Sequence, residues 1–387
     1  MSEKSVLKNL FIGFISFIIS FSVFTKTIAL EKDTNTVENI KNLNVCYNCP
    51  EFNKNSSVSY INHKKVKRWM GGKPLIINII TVNPSLKEIA IKPSYGNYFL
   101  NSVKRVKEFA SDENALAGIN ASFFKPDTGA PLGVSIIDGE ILTGPIYKRV
   151  VFGVTKENKF LMDKLDITGQ IKIGKKIKLK LINYNQPVFN KNGYTIFTDR
   201  WGKKTPSTSF NYRHVVVKDN KVQAIKQSCV NIPKGGYVLV GSGLLIKDSI
   251  KKGDKVSYSI KLSLAEWQDV KYAVGGGPYL VKKGKIFVDK QKFSNNFLWK
   301  KEPRTAIGFT KAGTLILVTV DGRKKGVSEG ATMPELAKIM WEMGAYNAMN
   351  LDGGSSTQMV YKGKLVNNPT VKGGGKVTNA LLIVPVK

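Results

Sequence analysis

From Pro74 onward the chain alternates between short apolar runs and turn residues. Leu75-Ile76-Ile77-Asn78-Ile79-Ile80-Thr81-Val82 is almost continuously apolar and closes at Asn83-Pro84, the pattern of a buried strand. Ala115 to Ile119 reads as another strand, and Ala380 to Val386 as a last one. Gly133 to Ile137 and Glu140 to Leu142 flank Asp138-Gly139, a dipeptide that favours the type I′ hairpin turn. Val215 to Val217 and Val222 to Ile225 flank Lys218-Asp219-Asn220-Lys221, read as a longer hairpin. Lys255 to Ile260 alternates polar and apolar, and Tyr279 to Val281 precedes a turn at Lys283-Gly284. Ile307 to Thr310 and Thr314 to Val320 flank Lys311-Ala312-Gly313. Helical spacing occurs twice. Ser102 to Ser111 carries Val103, Val106, Phe109 and Ala110. Met333 to Met343 has Thr332 as N-cap, Pro334 and Glu335 in the first turn, and Gly344 as its stop. The sum is an α+β fold, mainly antiparallel sheet with a few helices, in a single large catalytic domain.

The stretch before Pro74 reads differently. Lys4 and Lys8 precede an apolar run from Leu10 to Phe24, and Thr27-Ile28-Ala29 resembles a small-residue cleavage site. This layout predicts a secretory signal peptide over residues 1–29, with an uncleaved membrane anchor as the alternative. The expected location is periplasmic or extracellular. Leu30 to Met70 is polar and rich in Asn and Lys, so it reads as an extension whose aromatics (Tyr47, Phe52, Tyr60, Trp69) dock on the domain. Gly71-Gly72 marks the expected boundary, leaving residues 73–387 as the domain.

Charge adds a partner class. With 60 basic and 28 acidic residues, the 387-residue chain has a formal charge of +32. Such a surface attracts polyanions. The lysines are scattered along β-like segments and form no single patch, which argues against nucleic acid and for envelope polyanions such as lipid phosphates, teichoic-type polymers or acidic glycans. Lysine bias serving solubility alone is the plainer reading. The cysteines are Cys46, Cys49 and Cys229. The first two suit a small disulfide in an oxidising compartment, a zinc ribbon lacks its second pair, and Cys229 reads as a small buried hydrophobe.

Candidate chemistry gathers in a few short motifs. In Asn350-Leu351-Asp352-Gly353-Gly354-Ser355-Ser356-Thr357, paired glycines allow positive φ and close approach beside a carboxylate and three hydroxyls. An Asx turn explains Asp-Gly, but not the polar triplet after it. Ser355 lacks the Gly-x-Ser-x-Gly elbow of a serine hydrolase, and His63 and His214 are the histidines available as a base. Val320-Asp321-Gly322-Arg323 sets a second carboxylate beside a guanidinium. In Arg304-Thr305-Ala306-Ile307-Gly308 the arginine enters a strand and suits a bidentate phosphate or carboxylate clamp, or a surface ion pair. In Gly118-Ile119-Asn120-Ala121-Ser122-Phe123-Phe124, Asn120 suits a sugar hydroxyl, and Phe123 or Phe124 suits stacking on a pyranose; a satisfied core Asn is the alternative. Gly275-Gly276-Gly277-Pro278 lacks the P-loop ending, so Gly276 and Gly277 read as points of close backbone approach.

In this order, those five motifs resemble the phosphodiester glycosidase family over roughly Pro74 to Val386. Gly353-Gly354-Ser355 stands where many members carry a third glycine, and Asn367-Asn368-Pro369-Thr370 approximates the family's Asn-x-Pro-Ser. The resemblance implies an exported hydrolase that cleaves the glycosidic C–O bond of a sugar-1-phosphodiester, with envelope or exopolysaccharide metabolism as its setting. On that expectation Arg304, with Arg323, binds the phosphate and stabilises its developing charge. Asp321 and Asp352 supply base, nucleophile or oxocarbenium stabiliser, and Ser355, Ser356 and Thr357 orient substrate oxygens. No cofactor is implied; the acidic turns offer oxygens to a divalent cation, but no spacing is diagnostic of one. Two rival readings stay open: a non-catalytic module binding anionic polymers, and a metal-dependent phosphodiesterase cutting the P–O bond.

Overall fold

In the computed structural model, the described residues are 61–83, 88–245 and 250–386. The readings of a signal peptide, of an extension up to residue 60, and of a Cys46–Cys49 pair lie outside them. Among the described residues no helix is long and apolar enough to cross a membrane.

The central layer is a seven-stranded sheet. Its strands, in spatial order, are Ile61–Met70, Lys73–Val82, Leu315–Val320, Arg304–Phe309, Asn347–Asn350, Tyr279–Lys282 and Lys285–Ile286. One face packs on two five-stranded sheets. The first contains Ala117–Asn120, Met359–Tyr361 and Asn379–Pro385; the second contains Val150–Thr155 and Val270–Gly275. Ile80, Ile307, Leu317 and Met349 meet Ile119, Leu381, Phe152 and Val274 in that core. The other face is covered by helices α2 (Asn295–Trp299) and α3 (Met333–Glu342). Helix α1 (Val106–Asp112) covers the sheet of Asn379–Pro385. A second seven-stranded sheet, with edge strands Lys221–Lys226 and Val256–Leu262, packs behind Val150–Thr155 through Val151, Ile171 and the fully buried Trp267.

Local rules explain these elements. α3 buries Met333, Leu336, Ala337, Ile339 and Met340, one stripe at helical spacing, and Thr332 and Glu335 form a reciprocal capping box. Each of the buried Met, Leu and Ile side chains contributes roughly 1.5–3 kcal/mol over an exposed one. Asp138 and Gly139 both have positive φ, as a type I′ turn requires. All described pairings are antiparallel apart from that of Ile177–Tyr184 with Tyr194–Thr198. With three short α-helices among the described residues, the fold is more β-rich than the α+β expectation suggests.

Three expectations need correction, and one element goes unread. Ile61–Met70 is a ten-residue strand paired with Lys73–Val82, so Gly71-Gly72 is a hairpin turn with positive φ at both residues and not a boundary. This strand is a sheet edge rich in Lys and Arg, so its composition imitates a linker. The hairpin at residues 218–221 turns tightly on Asp219 and Asn220, both at positive φ, with Lys218 and Lys221 paired across it. The short helix α2 carries little apolar periodicity and was not foreseen. Cys229 is exposed.

Candidate active site

Three neighbouring strands of the central sheet deliver the acidic turns and Arg304 to one end. Leu315–Val320 and Asn347–Asn350 both run antiparallel to Arg304–Phe309, with Arg304 opposite Val320 and Ala306 opposite Asn350. Asp321 and Asp352, just past their strands, therefore stand at the end where Arg304 begins its own.

The Asp352 turn is anchored through its backbone. Its N–H donates to the Ala121 carbonyl at 2.9 Å, and its carbonyl accepts from Asn120 Nδ2 at 2.6 Å. Gly353 lies so close to the chain before it that an added Cβ would sit 2.7 Å from the Pro303 oxygen, and Gly354, at φ +63°, donates to that same oxygen. The carboxylate itself accepts from the Gly353 N–H at 2.9 Å. It is partly buried, and desolvation pushes its pKa up from 3.8 to about 6, against the lowering effect of the Ser356 and Gly353 hydrogen bonds.

Asp321 is buried more deeply, at 1% exposure. Its Oδ1 accepts from Asn367 Nδ2 at 3.2 Å and from the Asn368 N–H at 3.0 Å, while its buried Oδ2 has no partner. Burial raises its pKa, opposed by those two donors and by Lys65 and Lys324. Asn367 also donates to the Thr357 carbonyl at 3.1 Å, so it couples the two acidic turns. The Thr357 hydroxyl and Thr370 hydroxyl, like Asp321 Oδ2, are buried without a partner. Buried unsatisfied oxygens of this kind suit a polar ligand or water.

The structure spends other expected residues inside the protein. Asn120 is fully buried; its Oδ1 accepts from Thr305 Oγ1 at 2.8 Å and from the Gln358 N–H at 3.1 Å. Asn120 thus ties three motifs together and is not turned toward a sugar hydroxyl. Arg304 is also buried, and its Nε and Nη2 donate to the carbonyls of Ala331, Phe297 and Lys300. Burial lowers its pKa to about 10. Its guanidinium closes the end of α2 beneath the Phe297 ring and is committed to carbonyls. Arg323, at positive φ, is exposed and bonds Glu302, with its Nη2 beside Gly354. Gly276 donates to the Val150 carbonyl, and Gly277 exchanges hydrogen bonds with Asn350 at 2.7 and 2.9 Å; both glycines serve close approach. Ser355 is exposed, Ser356 is buried beside Asp352, and Phe123 is half-buried against Phe293 and Phe297.

His214 donates and accepts between Thr205 and Thr208, with a pKa lowered to about 4 by burial, and His63 meets Asn78 on the edge strand. Neither partners Ser355. Among the described residues no group of three or more His, Cys, Asp or Glu side chains is gathered. Two open cavities, of about 510 and 590 Å³, lie away from both acidic turns, one lined by Lys172, Lys221 and Lys255 and the other by Phe99, Trp201 and Lys203.

Residues 211–384 match the sequence model of the phosphodiester glycosidase family. Over those residues the chain resembles that family. It is 26% identical over 192 residues to the mouse N-acetylglucosamine-1-phosphodiester alpha-N-acetylglucosaminidase, covering 41% of this chain and 36% of the mouse protein. Matched stretches span between 10% and 36% of the curated relatives' lengths. A hypothetical protein from Synechocystis has the same fold at TM-score 0.76 and 25% identity, over 84% of this chain and 62% of the other. The zebrafish N-acetylglucosamine-1-phosphodiester alpha-N-acetylglucosaminidase catalytic domain, auto-inhibited by its pro-peptide, aligns at TM-score 0.51 and 18% identity, over 86% of this chain and 85% of the other. The family match contains both acidic turns and Arg304.

Sequence reasoning quoted Asn350 and Asn367 only within motifs, with no role of their own, and did not single out Arg149. The signal for Asn367 is its place in Asn367-Asn368-Pro369-Thr370, a Pro-containing turn that approximates a family motif. Arg149 had no local signal.

Proposed function

We propose that the protein hydrolyses the glycosidic C–O bond of a sugar-1-phosphodiester. The observation that carries this reading is Asp352: a carboxylate on a glycine turn, partly buried, with its pKa moved to about 6. That value suits proton transfer near neutral pH. Asp352 takes a proton from a water molecule as its oxygen bonds the anomeric carbon. The sugar–oxygen bond breaks, and its electron pair leaves on the phosphate oxygen, giving free sugar and a phosphomonoester. Phosphate leaves as a stable anion, so a strong general acid is not needed. Asp321 is a positioning carboxylate that, through Asn367, holds the Thr357 end of the catalytic turn. Ser355, exposed on the same turn, is available to substrate oxygens, while the buried Ser356 hydroxyl bonds Asp352.

The apolar run over Leu10 to Phe24 and the net charge of +32 support an exported protein working at an envelope polyanion, with exopolysaccharide turnover as the setting. The test is release of sugar from a panel of sugar-1-phosphodiesters in ¹⁸O water, with and without chelator. Label in the sugar is expected. Label in the phosphate would replace this reading with a phosphodiesterase, metal-dependent if chelator also abolishes activity. Salt-sensitive binding to anionic polymer, with no turnover, would favour a binding module.

A further inference from the structure

Arg304 gives its Nε and Nη2 to backbone carbonyls and Arg323 gives its Nε to Glu302, which leaves room for a further cation at the phosphate of such a substrate. We infer that Arg149, assisted by Lys292, forms a subsite for the phosphate group of the sugar phosphodiester; this rests on the reaction proposed above.

Arg149 is half-buried, its guanidinium carbon 3.7 Å from the Phe293 ring centre, 5.2 Å from that of Tyr147 and 5.5 Å from that of Phe123. Lys292 Nζ lies 5.5 Å from the same Tyr147 ring, on its own turn. Among the described residues neither cation has an ion pair, and no protein acceptor takes a hydrogen bond from the Arg149 guanidinium. The neighbouring carboxylates are engaged elsewhere: Asp166 with Lys148 at 3.3 Å, and Asp289 with Lys164. Arg149 Nε is buried with no partner, and burial lowers the pKa of the group to about 10. A desolvated guanidinium with no acceptor is costly to keep. Stacking on aromatic faces recovers part of that and leaves the planar N–H fork free in its own plane.

The backbone supports the same arrangement. Tyr147 and Lys148, and Gln291 and Lys292, are consecutive non-glycine residues at positive φ (52°, 50°, 38° and 60°). Such conformations are unfavourable for these residue types. The two turns are clipped together by Gln291 Oε1, which accepts from the Val150 N–H at 3.0 Å. The subsite joins the acidic turn by two routes. Val150, next to Arg149, accepts from Gly276, and Gly277 bonds Asn350, two residues before Asp352. Phe123 packs against Arg149 and follows Ala121, whose carbonyl holds the Asp352 N–H.

The chemistry fits a diester. Its phosphate carries one negative charge on two non-bridging oxygens, which match a forked guanidinium. Cleavage adds charge to the departing phosphate, so two unneutralised cations favour the transition state over the bound substrate.

The experiment measures calorimetric binding of N-acetylglucosamine 1-phosphate and of inorganic phosphate, alongside turnover on the diester panel. It compares wild type with R149Q, R149K and the exposed-site variant K292Q. The expected result is at least tenfold weaker binding of both probes in R149Q, with R149K intermediate and K292Q about threefold weaker. Folding is checked by circular dichroism; if R149Q does not fold, R149K and K292Q carry the test. Binding unchanged in the folded variants, or a wild type that binds neither probe, overturns the subsite. Diester turnover with Arg149-independent kinetics overturns it and leaves the reaction standing. Arg149-dependent phosphate binding without sugar release does the reverse.

Discussion

Asp352 and Asp321 occupy matching places, past the ends of two strands that flank Arg304–Phe309, each followed by glycine. Their surroundings differ. Asp321 is buried, accepts two N–H donors on one oxygen, and feels Lys65 and Lys324. Asp352 keeps partial access, takes its help from Ser356 and Gly353, and has no cation among the causes of its shift. Burial raises both pKa values, but only Asp352 moves far, to about 6. Two turns of similar sequence thus produce one carboxylate suited to exchange protons near neutral pH and one suited to hold neighbours in place.

The sharpest way to break the contrast is to remove each charge. Asp352→Asn should lower kcat about 10³-fold, equivalent to roughly 4 kcal/mol, if it supplies the base. Asp321→Asn keeps an acceptor for Asn367 and Asn368 and should lose markedly less. Equal losses in steady-state kinetics on the best diester would show that the two carboxylates act as one unit. The kcat profile of the wild type should fall tenfold per pH unit below an apparent pKa of about 6 and be flat above it.

Stability should move the opposite way. A carboxyl whose folded pKa is raised binds more protons folded than unfolded between its two pKa values. Folding stability therefore declines as pH rises from about 4 to about 6, and the deficit is complete above that. The deficit for Asp352 amounts to as much as about 3 kcal/mol. Asp352→Asn should therefore be more stable than wild type at pH 8 and gain nothing at pH 4 in urea titrations. Asp321→Asn should gain less at pH 8, because its shift is smaller.

These contrasts were only partly legible in the chain. Asp352 and Asp321 announced themselves because a carboxylate followed by glycine at a strand end is a local pattern. Asn120 and Arg304 were recognisable as unusual, but their partners are remote: Asp352 lies 232 residues from Asn120, and Ala331 lies 27 from Arg304. A motif cannot tell a side chain aimed at substrate from one aimed at a carbonyl. Arg149 was invisible because its environment is assembled from Phe123, Tyr147 and Phe293, on separate segments. The same reasoning covers the fold. Lys73–Val82 is apolar enough to be read directly, whereas its partner Ile61–Met70 is a strand only because that neighbour pairs with it.

Asn367 offers a finer cut. Its amide donates to Asp321 and to Thr357, and its oxygen accepts from the Met359 N–H at 2.8 Å. Asn367→Ala leaves those buried groups short of partners and should cost about 2 kcal/mol. It should also lower kcat roughly tenfold by loosening the Thr357 end of the catalytic turn, an effect expected of positioning and well below that of Asp352→Asn. A stability loss with kcat unchanged, from denaturation and kinetics on one preparation, would confine Asn367 and Asp321 to holding the fold.

The smallest change tests the Asp352 side alone. The Ser356 hydroxyl lowers the Asp352 pKa by hydrogen-bonding its ionised form, while burial pulls the other way. Ser356→Ala removes that bond and leaves burial unopposed on that side. The acidic limb of the kcat profile should move to higher pH, and the plateau well above it should stay within about twofold of wild type, a change of less than about 0.5 kcal/mol in the barrier. The limb of Asn367→Ala should not move in this way, because Asn367 contacts Asp321 and not Asp352. A limb that follows Asn367 and ignores Ser356 would assign the titrating carboxylate to Asp321, and the division of labour between the two turns would have to be exchanged.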